Sequence, residues 1–181
     1  TTRNGQKQGS SAMESGAVDP QRIFTATASH PVRERFRPYS TKRVSGLSFA
    51  TAASVGGSLR WRIVQGNREL ASGRISSGAN YYGLQLKSAR VGKVYWYDAS
   101  FGAITLQAGQ TYDVEFLPEG GSQWKFADFR NGSHHGFSSP VAFTESNAQH
   151  RVNGNWINAY HFNHYSNGGT DSNWPVVLHL D

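Results

Sequence analysis

The feature that most constrains the fold of this chain is a strict alternation of apolar and acidic residues at positions 112–116. Tyr112, Val114 and Phe116 take every second position, and Asp113 and Glu115 stand between them. Because successive side chains of a β-strand point to opposite faces, this spacing predicts a strand whose apolar side enters the core and whose two acids face solvent. Such a strand is typical of an antiparallel sheet with one buried face.

Runs of strand composition recur along the rest of the chain between turn signals. The pairs Gly56-Gly57 and Gly66-Asn67 mark two turns, and Trp61 lies on the apolar side of an alternating run, which predicts its burial. The predicted strands are 23–28, 44–49, 59–63, 70–75, 104–106, 112–116, 124–130 and 176–180. No convincing amphipathic helix stands among them. The pattern therefore predicts an all-β fold, a two-sheet antiparallel β-sandwich of the jelly-roll kind.

The length of 181 residues fits one sandwich domain, which we expect to span residues 21–181. Residues 1–20 are polar and rich in Gly, Ser and Gln, so we expect a disordered linker or a non-native remnant there. The chain has no cysteine, which excludes disulfides and thiolate metal sites. No apolar stretch reaches the roughly 18 residues of a membrane span, and no signal peptide opens the chain. We therefore expect no membrane span, and a protein that is either mature or an excised fragment.

Two segments carry a resemblance to known modules. The segment 106–116 has the sequence Leu-Gln-Ala-Gly-Gln-Thr-Tyr-Asp-Val-Glu-Phe. It resembles a sequence pattern of bacterial extracellular β-sandwich modules, in which a strand ends in an Ala-Gly turn and the next strand begins with an inward-facing Tyr. Residues 59–62 followed by 69–73 are similar to the second and third strands of jelly-roll carbohydrate-binding modules. The resemblance implies a bacterial secreted protein, located outside the cell or on its surface, with a neighbouring catalytic domain. The motifs that carry the resemblance identify a turn and core positions, and they do not identify any ligand-binding residue in this chain.

The second half of the chain contains the side chains that sugar recognition needs, because flat aromatic rings cover the C–H faces of a sugar and polar groups bind its hydroxyls. Arg130 in addition has the geometry to hold a carboxylate or sulfate through two parallel hydrogen bonds. The polar partners are expected in the loop 128–135, and the preferred stacking residue in the loop 153–158. The candidate ligand-binding residues are Trp156, Arg130, Trp124, Trp96, Asp128, Asn131, His134, His135 and Tyr82.

Alternatives remain open for the three tryptophans among these candidates. Trp124 shares its parity with Phe126, which favours burial, but it follows a glycine-rich loop that would display it. For Trp96, alternation requires that either this residue or the tyrosines on both sides of it face outward. Trp156 is interpreted either as a residue that stacks on a sugar or as a residue that anchors its own loop to the domain.

Metal binding and catalysis have less support in the sequence. The histidine clusters lack the spacing of a metal centre, and we expect no cofactor apart from a structural calcium held by Asp171, Asn173 and the carbonyls of Gly168-Gly169. No pair of carboxylates suggests a glycosidase. A polysaccharide lyase of jelly-roll form would instead use Arg130, His135, Tyr160 and His161.

The formal charge of +6 favours an anionic partner. The densest basic group is expected to be a solvated surface; it consists of Arg33, Arg35, Arg37, Lys42 and Arg43. Nucleic acid is not favoured, since no recognisable element for binding it is present and the aromatic residues stand mostly at core positions.

The function we expect is that of a non-catalytic carbohydrate-binding accessory module. It would bind a polysaccharide or oligosaccharide, acidic by preference, and tether an enzyme or a surface assembly to it. The alternatives are a jelly-roll polysaccharide lyase and a structural or adhesion sandwich.

Overall fold

The structure is a computed structural model and describes residues 20–78, 94–129, 143–158 and 178–180. These residues form strands joined by turns and contain no helix, and hence no helix that could span a membrane. The strands are β1 (Pro20–Ala26), β2 (Val32–Pro38), β3 (Lys42–Val55), β4 (Ser58–Gln65), β5 (Arg68–Ser76), β6 (Tyr95–Leu106), β7 (Tyr112–Pro118), β8 (Gln123–Phe129), β9 (Phe143–Val152), β10 (Asn155–Asn158) and β11 (Leu178–Leu180).

The strands form two antiparallel sheets packed face to face, which confirms the predicted β-sandwich. The six-stranded sheet has the order β10-β9-β2-β7-β4-β5. The five-stranded sheet runs β1-β8-β3-β11, with β6 also paired to the long strand β3. The chain passes from one sheet to the other at most of its connections, so the neighbours of a strand within a sheet are often distant in sequence.

The core lies between the two sheets and is rich in aromatic side chains, as the alternation predicts. Tyr112, Val114 and Phe116 of β7 are all buried there. The ring of Phe116 bridges the layers, because its centroid lies 4.8 Å from that of Phe49 and 4.9 Å from that of Phe126, both in the opposite sheet. Such offset and tilted contacts are the arrangement that aromatic pairs prefer.

The turn before β7 explains why Tyr112 is buried with its hydroxyl. Gly109 adopts a left-handed φ of 76°, which a residue without Cβ tolerates, and the chain reverses there. The backbone N–H of Gln107 then donates a hydrogen bond of 2.8 Å to the Tyr112 Oη. The Ala-Gly turn followed by an inward Tyr, expected from the sequence, is therefore present.

Two hairpins of the six-stranded sheet matter for the candidate site. The predicted Gly66-Asn67 turn joins β4 to β5, with Gln65 paired to Arg68. A second two-residue turn, not anticipated from the sequence, joins β9 to β10. Its residues Asn153 and Gly154 both have positive φ angles, 51° and 80°. Asn-Gly with this geometry is the preferred tight turn of a β-hairpin.

Candidate functional site

A cleft of about 450 Å³ opens on the outer face of the six-stranded sheet, on the side away from the core. Its floor includes Arg33 of β2, Glu115 of β7 and Arg62 of β4, three neighbouring strands. The two hairpins described above, β4–β5 and β9–β10, lie on opposite sides of this floor and form its flanks. The volume lies within the range of small-molecule sites, about 300–1,000 Å³.

The three floor residues belong to one row of residues that lie opposite each other across four strands. Arg33 pairs with Gln149 of β9 on one side and with Glu115 on the other, and Glu115 in turn pairs with Arg62. Cross-strand neighbours stand about 4.5–5.5 Å apart at Cβ, so long polar side chains in such a row interact. The sheet register therefore brings together side chains from four separate parts of the sequence.

The acids of β7, Glu115 in this row and Asp113 in the next, are ion-paired and are not exposed, which corrects the expectation that they face open solvent. Asp113 accepts two hydrogen bonds from Arg35, at 3.0 Å from Nε and 3.1 Å from Nη2. Glu115 accepts one of 2.5 Å from the Nε of Arg62. Both acids stand on the outer face, as alternation requires, but arginine side chains cover them and leave them buried.

Arg33 is the most enclosed cation of the cleft, with only 9% of its surface exposed, so the expectation of a wholly solvated basic group is wrong for this residue. Its Nε donates a 2.8 Å hydrogen bond to Gln149 Oε1 and lies 3.5 Å from Asp113 Oδ1. Burial lowers the pKa of Arg33 to about 10, and the positive charges of Arg35 and Arg151 act in the same direction, against the carboxylates. Arg33 thus remains protonated at neutral pH, in surroundings that only partly stabilise its charge.

Trp156 lines the cleft from β10. It was expected in a loop, but the Asn153-Gly154 turn makes the residues after it a strand, in which Trp156 lies opposite Arg151 of β9. The Cζ of Arg33 lies 4.2 Å from the centre of the Trp156 ring system. A guanidinium at this distance is attracted to the ring face, so each side chain restricts the other's rotation.

The rim of the cleft adds one more cation and one amide. Arg151 is exposed, lines the cleft, and forms no ion pair with a carboxylate among the described residues. Asn67, in the opposite hairpin, contributes an amide that both donates and accepts hydrogen bonds. The described residues that line the cleft therefore combine an aromatic ring, an amide and three arginines with a single carboxylate.

Two of the tryptophans proposed as ligand-binding residues are buried, and this corrects their assignment. Trp124 is 0% exposed, and its Nε1–H donates to Ser122 Oγ at 3.2 Å. Trp96 is 1% exposed and the next residue, Tyr97, is buried as well, so both faces of β6 are covered at this point. Alternation alone had required one of these two residues to face outward. A sugar cannot stack on a ring that has no accessible face.

Of the remaining predicted site residues, the structure describes only Asp128. Asp128 lies on β8, where its backbone pairs with Arg22, so the expected loop begins at least two residues later than predicted. Outside the described residues lie Tyr82, Arg130, Asn131, His134 and His135. The same holds for the lyase residues Tyr160 and His161 and for the calcium ligands in 168–173. Within the described ranges, no group of three or more His, Asp and Glu residues is placed to hold a metal ion.

Sequence reasoning missed the central strand of the site, β2. Arg33, Arg35 and Arg37 occupy every second position around the buried Val32 and Phe36, which is the same period of two that predicted β7. The density of positive charge suggested a solvated surface and concealed this alternation. The Asn-Gly pair at 153–154 was the corresponding local signal for the hairpin that carries Trp156.

The fold and the cleft together define this protein as an all-β sandwich with a polar, arginine-rich depression on one sheet. No protein-family model, curated protein or solved structure matches the chain. Its function is therefore inferred from the geometry of the cleft and the chemistry of the residues that line it.

Proposed function

We propose that this chain is a non-catalytic glycan-binding module whose ligand lies in the cleft on the outer face of the six-stranded sheet. The observation that carries the proposal is the combination of Trp156 with hydrogen-bonding side chains in one open cleft. Sugars present both C–H faces and hydroxyl groups, and a site of mixed aromatic and polar character matches both. The module would act outside the cell and tether an attached enzyme or surface assembly to a polysaccharide.

The side chains of the cleft are held in place before a ligand arrives, which supports a binding role. Arg33 is fixed by Gln149 and by the ring of Trp156, and Arg62 is fixed by Glu115. Since these contacts are already made in the free protein, little side-chain entropy remains to be lost on binding. A rigid sheet face also offers a long, shallow surface that suits an extended chain of sugars.

Binding without catalysis is favoured by the residues that line the cleft. Glu115 is the only carboxylate in the described lining, and it is engaged by Arg62, whereas glycoside hydrolysis needs two carboxylates on either side of the bond. The described lining also contains no histidine or tyrosine that would serve as the base of a lyase. These residues therefore supply hydrogen bonds and charge but no proton transfer.

A glycan array followed by calorimetry on the best ligand tests this proposal. We expect Trp156→Ala to weaken binding about tenfold or more, because it removes the ring and loosens Arg33, and Trp156→Phe to recover part of the affinity. Tyr39→Ala is the matched control, since Tyr39 is an aromatic residue that is 71% exposed and lies outside the cleft lining. Binding that Tyr39→Ala abolishes and Trp156→Ala leaves intact would contradict the proposed site, and no binding to any glycan by the folded protein would contradict the function.

A further inference from the structure

The terminal nitrogens of Arg33 are hydrogen-bond donors with no acceptor among the described residues. A guanidinium has five N–H donors, and only the one on Nε is bound, to Gln149. Nη1 lies 4.0 Å from Glu115 Oε2, which is beyond hydrogen-bond distance. Because Arg33 lines the cleft and is nine-tenths buried, a ligand that enters the cleft can satisfy donors that the protein leaves open.

The charges of the cleft do not cancel. Asp113 is held by two hydrogen bonds from Arg35, and Glu115 by a short one from Arg62. In the part of the chain that the structure describes, these two pairs leave Arg33 and Arg151 without a carboxylate of their own at hydrogen-bond distance, since Arg33 lies 3.5 Å from Asp113 and 4.0 Å from Glu115. Two positive charges thus face the same space, one buried in the floor and one exposed at the rim. An anion placed between them would offset both the burial of Arg33 and its repulsion by Arg151.

We propose, as a refinement that rests on the glycan-binding function, that the cleft contains an anion subsite in which the terminal nitrogens of Arg33 bind a carboxylate or sulfate group of an acidic sugar and Arg151 assists from the rim. The planar edge of a guanidinium donates two parallel hydrogen bonds to two oxygens of such a group. Gln149 is a positioning residue here, because its bond to Nε orients the guanidinium.

The pattern of charge favours an acidic glycan over a nucleic acid. A nucleic-acid groove follows a continuous line of phosphates with a continuous line of cations. In this cleft Glu115 stands in the floor between Arg33 and Arg62, and it would repel a neighbouring phosphate. A single anionic group beside neutral hydroxyls, as in a uronate or a sulfated sugar, fits the combination of Arg33 with the amide of Asn67.

The test compares ligands that differ only in the anion, using the full chain and isothermal titration calorimetry. Oligogalacturonate is matched by its methyl ester, which keeps the sugar but removes the charge, and a sulfated galactan oligosaccharide is matched by its desulfated form. We expect loss of the charge in the preferred series to weaken binding about tenfold to a hundredfold. The series that shows this loss identifies carboxylate or sulfate as the ligand group.

Variants locate the effect on the protein. Arg33→Lys keeps the charge but loses the two-nitrogen edge, so it should weaken binding of the charged oligosaccharide at least about tenfold and weaken binding of the neutral form much less, which narrows the difference in affinity between the two. Arg151→Gln should reduce affinity several-fold and flatten its dependence on salt. Arg74→Gln serves as the control, because Arg74 pairs with Glu119 outside the cleft and should not affect binding.

The outcomes separate this inference from the function on which it rests. Equal affinity for the charged and neutral forms, or an unchanged affinity in Arg33→Lys, would overturn the anion subsite while glycan binding remains. If no oligosaccharide binds, but free galacturonate or inorganic sulfate quenches tryptophan fluorescence in an Arg33-dependent way, the subsite stands and the glycan function fails. Displacement of the ligand by a single-stranded oligodeoxynucleotide that binds more tightly through Arg33 would overturn the choice of a glycan as the occupant.

Discussion

The substitution Asp113→Asn tests whether the buried ion pairs under the cleft stabilise the fold. Asp113 accepts two hydrogen bonds from Arg35 and lies 3.5 Å from the Nε of Arg33, and its side chain is only 4% exposed. Asparagine keeps the shape, but it removes the charge and places an NH2 group where one carboxylate oxygen accepted a bond. The new amide donor, which is buried, then faces a donor of the half-exposed Arg35, and Arg33 loses one of its two nearby carboxylates.

The magnitude follows from the burial of the two partners. Removing one member of a buried ion pair costs about 3–5 kcal/mol. The Arg35 side chain is 46% exposed, so water compensates part of the loss, and we expect a decrease of about 2–3 kcal/mol in the free energy of unfolding. For a domain of this size each kcal/mol lowers Tm by about 2–4 °C, which gives a fall of about 4–12 °C.

Differential scanning calorimetry of the purified protein at neutral pH measures this fall directly. Glu119→Gln is the matched control, because Glu119 forms its ion pair with Arg74 on the exposed surface, with 63% of the Arg74 side chain accessible. We expect a much smaller change in Tm for the control. If Asp113→Asn lowers Tm no more than Glu119→Gln does, the pairs under the cleft contribute nothing beyond an ordinary surface pair, and the reasoning is wrong.

Two further predictions concern packing and pH. In Gly73→Ala the added Cβ would lie 2.7–2.8 Å from the indole atoms of Trp61, so the ring must shift, and urea denaturation should show that the free energy of unfolding falls by about 1–3 kcal/mol. Gly102→Ala is the control, because its Cβ would meet nothing within 4 Å and the free energy of unfolding should change little. Equal effects of the two substitutions would contradict the explanation. The hydrogen bond from Arg74 lowers the pKa of Glu119 below its ordinary value, so its contribution to stability is complete above that ordinary value and is lost as pH falls through the lowered one. Titration by carboxyl NMR should show the lowered pKa, and Arg74→Gln should raise it; an unchanged pKa in that variant would refute the cause.

The period of two in the amino-acid sequence was enough to predict most strands and much of the core. Alternation at 112–116 placed Tyr112, Val114 and Phe116 inside, and that at 59–63 placed Trp61 inside. This succeeds because the two faces of a strand are a local property of the backbone, and burying large apolar side chains on one of them stabilises the sheet. The turns at 56–57 and 66–67 were equally local, since glycine and asparagine tolerate the backbone angles that those turns require.

Local pattern could not tell whether the second face of a strand is covered. Trp96 and Tyr97 are neighbours on opposite faces of β6, yet both are buried. Asp113 and Glu115 stand on the outer face as predicted, but arginines from β2 and β4 cover them. Whether a face meets solvent depends on what other parts of the chain place over it, and alternation carries no information on that.

The candidate site itself was decided by the tertiary structure. Arg33 bonds to Gln149, 116 positions away in the sequence, and it stacks on Trp156 from the next strand of the same sheet. These contacts form because β2 lies between β9 and β7, in the register that places Arg33 opposite Gln149 on one side and Glu115 on the other. Sheet order and register are set by the packing of the whole core, since a shift of one residue would exchange the buried and exposed faces of a strand. The sequence by itself therefore determined which faces of the strands at 59–63 and 112–116 are apolar, and only the folded sheet determined that Arg33 lies on a strand and converges with Arg62 and Trp156 on one cleft.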